Sequence, residues 1–107
     1  IDQGADWYFN ITYADPNGDP INITGSSAKC QLRSNPNSPS AVLTLDSDTG
    51  GIDIIGAQGE VNLHATAAET GAIDEGTYFY DVEITSDQEI VTRLVQGQIV
   101  VSAEVTR

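Results

Sequence analysis

Apolar and polar residues alternate along much of this chain, which is the pattern of half-buried β-strands. The alternation is strongest over residues 7–13, where the apolar members are large, and over residues 78–85. Shorter stretches of strand character lie at about 26–33, 42–45, 52–55 and 61–64. Glycine, proline, asparagine and aspartate separate these stretches. Regular short strands with such turns are typical of a β-sandwich or a small barrel.

Three local features extend this pattern. Ile21–Thr24 predicts a further short strand, and residues 90–105 predict a long return strand with Gly97 at a bend or bulge. Thr66 and Glu69 fit a capping box, in which each side chain accepts a hydrogen bond from a free N–H of the first helical turn. We therefore expect one short helical connector near residues 66–71.

These elements predict an all-β fold: an antiparallel immunoglobulin-like β-sandwich of seven or eight short strands with that single connector. The length of 107 residues suits one domain, which we expect to span residues 1–107. The Cys…Trp…Cys spacing of antibody domains does not occur in this sequence. The expected relationship is therefore to the sandwich architecture and not to antibodies.

The charge balance is strongly acidic. Sixteen Asp and Glu residues face four Lys and Arg residues, for a net charge of −12. Such a surface repels phosphate backbones and anionic membrane faces, so we expect neither nucleic-acid nor membrane binding. The acidic residues are spread along the chain, which favours a role in solubility over an acidic tail.

The sequence offers little catalytic chemistry. Cys30 shares one face of its predicted strand with Ala28 and Leu32 and is expected to be buried, whereas His64 lies on the face opposite Val61 and Leu63 and is expected to face solvent. They are the only cysteine and the only histidine, too few for the usual zinc sets or for a disulfide. We therefore predict that the protein is not an enzyme and needs no cofactor.

Two acidic segments place oxygen atoms where calcium ligands often lie. Asp15, Asn17 and Asp19 alternate in the first segment, and Asp46 and Asp48 lie in the second. The first segment lacks the glutamate at the twelfth position of an EF-hand loop and contains prolines. A plain turn is the favoured interpretation of both segments, and no metal site is predicted.

Asp81 and Glu83 share one side of their predicted strand, and Arg93 lies in the next one. Opposite charges on neighbouring strands stabilise a sheet by about 0.2–1 kcal/mol. We expect a cross-strand ion pair here.

Several motifs occur in the last third of the chain and near its start. In the last third, residues 76–83 read GTYFYDVE, 91–97 read VTRLVQG and 100–107 read VVSAEVTR. Near the start, residues 3–7 read QGADW, 11–13 read ITY and 19–25 read DPINITG. In this order, the motifs resemble small proteins encoded in the structural gene blocks of tailed bacteriophages. The layout is also similar to the N-terminal immunoglobulin-like domain of phage baseplate upper proteins, which anchors receptor-binding fibres.

This resemblance implies a non-enzymatic virion structural protein, most simply a tail or baseplate adaptor that anchors fibres or neighbouring tail subunits. Its partners would be other virion proteins of the tail, baseplate, fibre or capsid, in an assembly of many copies. Its location would be the tail or the capsid exterior, after synthesis in the cytoplasm of the bacterial host. The chain stops where baseplate upper proteins continue, so an anchor domain alone is expected. Because residue 1 is isoleucine, a methionine or short leader is expected to precede it.

The expected contact surface is an open strand edge, to which a neighbouring subunit adds a strand. The last strand, with Val105 and Arg107, is the first candidate, and Arg93 lies on the same stretch of chain. Trp7 and Tyr8 are candidate aromatic anchors. A core position is the favoured interpretation of Trp7, whereas Tyr8 suits either role.

Two other functions stay open. A small acidic β-domain would serve equally well as a capsid decoration protein that binds the major shell protein. A carbohydrate-binding module for the host surface would use exposed aromatic side chains, for which the candidates are Trp7, Tyr8, Tyr13, Tyr78 and Tyr80.

Overall fold

A computed structural model describes residues 1–104 of the chain. Within them lie seven strands, one 3-10 turn and one α-helix. The strands are β1 (Trp7–Thr12), β2 (Ser27–Arg33), β3 (Leu43–Asp46), β4 (Ile52–Ile55), β5 (Glu60–Ala65), β6 (Gly76–Thr85) and β7 (Val91–Val101). The 3-10 turn Gly56–Gln58 joins β4 to β5, and helix α1 (Ala67–Gly71) follows β5.

The strands form two antiparallel sheets. One contains three strands in the order β1-β5-β4, and the other contains four in the order β3-β2-β6-β7. Each strand turns its buried residues toward the other sheet, as the alternation predicts. The predicted all-β sandwich of seven or eight strands is confirmed. Its strand order differs from that of constant-type immunoglobulin domains, because β2 lies between β3 and β6 and not beside β1 and β5.

The core is built from the inward side chains of both sheets. The largest fully buried ones are Leu32, Leu45 and Leu63, and Cys30 is buried beside them with no exposed surface. Tyr78, at the start of β6, is also buried, and its hydroxyl donates a hydrogen bond to the carbonyl of Asp74 at 2.7 Å. A tyrosine that bonds back to the preceding loop in this way resembles the tyrosine corner of immunoglobulin-like sandwiches.

The connector after β5 has the predicted capping box. The Thr66 hydroxyl accepts from the Glu69 N–H at 3.2 Å, and the Glu69 carboxylate accepts from the Thr66 N–H at 3.0 Å. The buried Thr70 donates to the carbonyl of Ala5 at 2.8 Å, and the Gln3 amide donates to the carbonyl of Ile73 at 2.6 Å. The N-terminal segment is therefore held against the connector.

The extra strand predicted at Ile21–Thr24 is wrong. Ile23 is buried, but its N–H donates to the carbonyl of Gly56 at 2.8 Å, and the segment joins neither sheet. An isoleucine can therefore reach the core from a loop, provided that its backbone finds a partner elsewhere.

The bulge predicted at Gly97 is also misplaced. Val82 pairs with Val95 and Glu83 pairs with Arg93, so the extra residue of β7 is Leu94. Gly97 pairs regularly with Tyr80, and a Cβ at position 97 would lie 3.4 Å from the Tyr80 ring. A Cβ there would make an ordinary van der Waals contact with the ring, so neither a bend nor a clash explains this glycine.

Candidate functional site

The outer face of the four-stranded sheet forms an open groove of about 630 Å³. The outward residues of β2, β6 and β7 line it in three cross-strand rows. The rows are Lys29-Glu83-Arg93, Gln31-Asp81-Gln96 and Arg33-Phe79-Gln98. Pro36, Tyr80 and Gly97 complete the lining. Volumes of roughly 300–1,000 Å³ are usual for small-molecule sites.

An ion-pair network crosses the middle of this groove. The Arg93 Nε lies 3.4 Å from Oδ2 of Asp81, and its Nη2 lies 3.7 Å from Oε1 of Glu83. The same guanidinium donates from Nη1 to the Gln96 side-chain oxygen at 3.1 Å. The predicted cross-strand pair is therefore present. About half of the Arg93 side chain is exposed, so these ion pairs add little to the stability of the fold. Their main effect is to hold the orientation of the side chains.

A second guanidinium closes one end of the groove. Arg33 donates to the carbonyl of Ser38 and to the side-chain oxygen of Gln31, each at 2.9 Å. The Ser38 bond ties the loop after β2 to the sheet. The Lys29 side chain, by contrast, is exposed and makes no hydrogen bond or ion pair with another described residue, although its charge helps to lower the pKa of Asp46, its cross-strand partner in β3.

The groove gathers the positive charge of an acidic protein. Lys29, Arg33 and Arg93 are three of the four basic residues, and the fourth, Arg107, lies outside the described residues. Two of the sixteen acidic residues, Asp81 and Glu83, line the groove, which leaves a formal balance of plus one there. The other fourteen lie elsewhere in the chain. The groove is therefore electrostatically distinct from the surface around it.

The groove opens along one side onto strand β7, which is an edge of the sheet. At 11 residues, β7 is the longest strand, and β6 is its only strand neighbour within residues 1–104. The Val100 carbonyl accepts a hydrogen bond from the Ile1 nitrogen at 2.8 Å, so Val100 directs its backbone groups away from β6. Backbone direction alternates along a strand, so Gln98 and Gln96 direct theirs the same way.

Exposed apolar side chains lie along this open edge. Ile90, Val91 and Val100 are each close to 60% exposed. The N-terminal segment covers only the end of the strand, where Ser102 donates to the Ile1 carbonyl and accepts from the Gln3 N–H. A long edge with exposed apolar residues is a template for an additional strand. The C-terminal residues Val105 and Arg107, where the sequence predicted the contact edge, lie outside the described part of the chain.

The outer face of the three-stranded sheet has a different character. The Tyr8 ring, which is 70% exposed, stacks on His64 with ring centroids 4.4 Å apart and planes 3° apart. These residues are cross-strand partners in β1 and β5. His64 Nε2 lies 4.0 Å from Oδ1 of Asp6, is shielded from solvent, and has no hydrogen-bond partner among the described residues. As expected, His64 lies on the solvent face of its strand.

Three of the remaining aromatic candidates lie on the inner side of the sheets, and the fourth, Tyr13, follows β1 and is partly buried against the core. Trp7 is half-buried against the core, with its ring centroid 5.8 Å from that of Phe9. Tyr78 is 8% exposed, and Tyr80 packs its ring edge against Phe9 at 6.3 Å. Of the five aromatic residues considered for sugar binding, Tyr8 alone is a largely exposed ring on the described surface.

The acidic turns use their carboxylates on their own backbone. Asp15 accepts from the N–H groups of Asn17 and Asp19 at 2.9 and 3.0 Å. Asp46 accepts from the N–H groups of Asp48 and Thr49 at 2.9 and 2.6 Å, and the Thr49 bonds hold the pKa of its carboxyl below the usual range. Residues 1–104 contain no group of three or more His, Cys, Asp or Glu that could hold a metal ion.

Cys30 has the properties of a structural thiol. It lies on the inner side of β2, and burial, with a smaller effect from the Asp81 charge, raises its pKa to about 12. A thiol with such a pKa is a poor nucleophile at neutral pH. Its prediction as a buried apolar side chain is confirmed.

The sequence did not predict the groove. A signal was present, since polar residues alternate in the same phase at 29, 31 and 33 and at 79, 81 and 83. Only the register between β2, β6 and β7 shows that these residues share one face with Arg93, Gln96 and Gln98.

Comparisons with known proteins do not identify the chain: no family model and no curated protein matches it. No helix within residues 1–104 is long and apolar enough to cross a membrane.

Proposed function

We propose that this chain is a non-enzymatic virion structural protein of a tailed phage. In this role it is a tail or baseplate adaptor that binds fibres or neighbouring tail subunits, in several copies per particle. The open β7 edge is the observation that carries the proposal, and the motif resemblance in the sequence supplies the kind of particle. The wide distribution of acidic residues suits a protein that must stay soluble until assembly.

The partner strand pairs with the middle of β7. The outward N–H and C=O groups of Gln96 and Gln98 are the attachment points, because the bulge at Leu94 interrupts the edge on one side and the N-terminal segment covers it on the other. The exposed side chains of Val91 and Val100 flank this stretch and supply apolar contact area. Main-chain pairing provides affinity in such complexes, and side-chain contacts provide specificity.

Two substitutions at one position test this attachment. Gln98→Pro removes the outward N–H while leaving the hydrogen bonds to β6 in place, and proline is tolerated at such edge positions. Gln98→Ala keeps the N–H and changes only an exposed side chain. We expect the alanine variant to be incorporated into particles at the wild-type level and the proline variant to be lost, as measured by quantitative mass spectrometry of particles from complemented cells. Equal incorporation of a folded proline variant would contradict the edge contact.

A second experiment tests the location. Cryo-electron microscopy of intact particles, with an antibody fragment against the protein, is expected to place it at the tail or baseplate. Density on the capsid shell would replace the adaptor with the decoration protein. Absence of the protein from purified particles would refute a virion role altogether.

A further inference from the structure

The groove on the outer face of the four-stranded sheet alternates hydrogen-bond donors and acceptors over a short distance. Each row combines a cation or an amide with a carboxylate, an amide or an aromatic ring. The Lys29 ammonium and the Gln98 side chain make no hydrogen bond within the described residues. Both are exposed at the two ends of the groove. A ligand can therefore form hydrogen bonds with these groups without breaking a hydrogen bond within the protein.

We propose that this groove is a binding site for a neutral saccharide. A sugar hydroxyl is both a donor and an acceptor, so neighbouring hydroxyls can bond an amide or cation on one side and a carboxylate on the other. Asp81 is in the middle row, and its two neighbours there, Gln31 and Gln96, both have planar amide groups. The ion pairs of Arg93 hold the Asp81 and Glu83 carboxylates in position before a ligand arrives.

The third row supplies an apolar surface. The half-buried Phe79 lies between Arg33 and Gln98, and Pro36 lines the same side of the groove. Ligand sites characteristically combine apolar and aromatic lining with a few polar groups that fix orientation. The C–H face of a pyranose ring would pack on Phe79 while its hydroxyls bond the flanking guanidinium and amide.

Charge favours a neutral ligand over an ionic one. An anionic ligand would approach against the net charge of −12 and meet Asp81 and Glu83 in the groove. A cationic ligand would meet Lys29, Arg33 and Arg93. The five charged groups of the groove have a net charge of only plus one, so the groove does not strongly favour a ligand of either charge.

This site is independent of the adaptor proposal, since it uses side chains on the sheet face and not the backbone edge of β7. The site also does not use Tyr8, the one largely exposed ring among the aromatic candidates for sugar binding on the described surface. Tyr8 lies on the other sheet, 70% exposed and stacked on His64.

The test is binding of the full chain to an array of neutral hexose and N-acetylhexosamine oligosaccharides, followed by titration of the bound oligosaccharide in ¹H–¹⁵N correlation spectra. We expect the amide signals of Gln31, Asp81 and Gln98 to move and those of Tyr8 and His64 to stay. Gln98→Ala is expected to weaken binding about three- to tenfold, and Asp81→Asn about tenfold or more because it removes a charged acceptor.

Two control variants separate this site from the rest of the surface. Gln58→Ala removes the same side chain from an exposed turn, and Tyr8→Ala removes the exposed ring of the opposite face. Both are expected to bind like the wild type. The proposal is overturned if no neutral oligosaccharide binds, if Tyr8→Ala loses binding while Gln98→Ala keeps it, or if only acidic sugars or extended peptides move the groove signals. Because Gln98→Ala preserves the β7 N–H, its loss of sugar binding would leave particle incorporation unchanged.

Discussion

The two sheets of this sandwich are alike on their inner faces and different on their outer ones. Inside, Leu32 of the four-stranded sheet and Leu63 of the three-stranded sheet are both fully buried in one core. Outside, the four-stranded sheet has charged rows around a groove, whereas the three-stranded sheet has a stacked aromatic pair and no Lys or Arg on its strands. The core is therefore shared by the two sheets, whereas the surface chemistry differs between their outer faces.

The strongest test of the shared core is a matched pair of truncations. Leu32→Ala and Leu63→Ala each remove a fully buried leucine from a central strand, one in each sheet. We expect each to lower the free energy of unfolding by about 2–5 kcal/mol, from lost burial and the cavity left behind. Urea denaturation followed by tryptophan fluorescence measures both. A loss below about 1 kcal/mol for one variant alone would mean that its sheet does not share the core.

Inner faces were the part of the fold that could be predicted from the sequence. Alternation at Phe9 and Ile11, or at Val82 and Ile84, reports which side of a strand is buried, since the side-chain period of a strand is two. The capping box at Thr66 was equally visible, because its partners are three residues apart. Local patterns predict local structure.

Relations between strands could not be predicted in this way. The bulge lies at Leu94 because Val82 pairs with Val95 and Glu83 with Arg93, and neither strand alone reveals that register. Ile23 was misassigned because burial in a loop produces the same spacing as burial in a strand. The groove depends on two registers at once, that of β2 with β6 and that of β6 with β7, so the sequence predicted the Arg93 ion pair but not the groove around it.

A second test concerns an electrostatic interaction between the inner and outer faces of the four-stranded sheet. Cys30 is buried, and its pKa of about 12 is raised first by burial and then by the charge of Asp81 on the outer side of the neighbouring strand. The unfolded thiol ionises near its ordinary pKa of about 8.5, while the folded one stays protonated. Stability from this group is therefore complete below that pH and decreases as the pH rises toward 12.

We expect the wild type to lose about 1.4 kcal/mol of unfolding free energy per pH unit in this window through Cys30. Cys30→Ala lacks this contribution, so its unfolding free energy should decline less steeply with pH. Asp81→Asn removes the charge that raises the Cys30 pKa and should slightly narrow the pH range over which stability is lost. Denaturation at a series of pH values between 8 and about 11 compares the slopes. Identical slopes in wild type and Cys30→Ala would contradict a buried protonated thiol.

The outer face of the three-stranded sheet is expected to contribute less. Tyr8 and His64 are stacked cross-strand partners, and such aromatic pairs stabilise a sheet by about 0.5–1 kcal/mol. A double-mutant cycle of Tyr8→Ala and His64→Ala measures this coupling by denaturation. Additive effects of the two substitutions would show that the stack contributes nothing to stability. High salt is expected to leave the coupling unchanged, because the contact is between rings.

The smallest expected effect is on the outer face of the other sheet, and salt distinguishes it. Arg93→Gln removes the ion pairs to Asp81 and Glu83 but retains a polar side chain of similar length. Because these side chains are one-third to one-half exposed, we expect a loss of only about 0.2–1 kcal/mol at low salt. In 1 M salt, where the screening length is about 3 Å, the difference from wild type should nearly vanish. Denaturation at both salt concentrations measures it, with Gln58→Ala as a control that removes no charge. A loss that persists in high salt would show that Arg93 acts by packing, and the two outer faces would then differ in residue type but not in the kind of interaction they contribute.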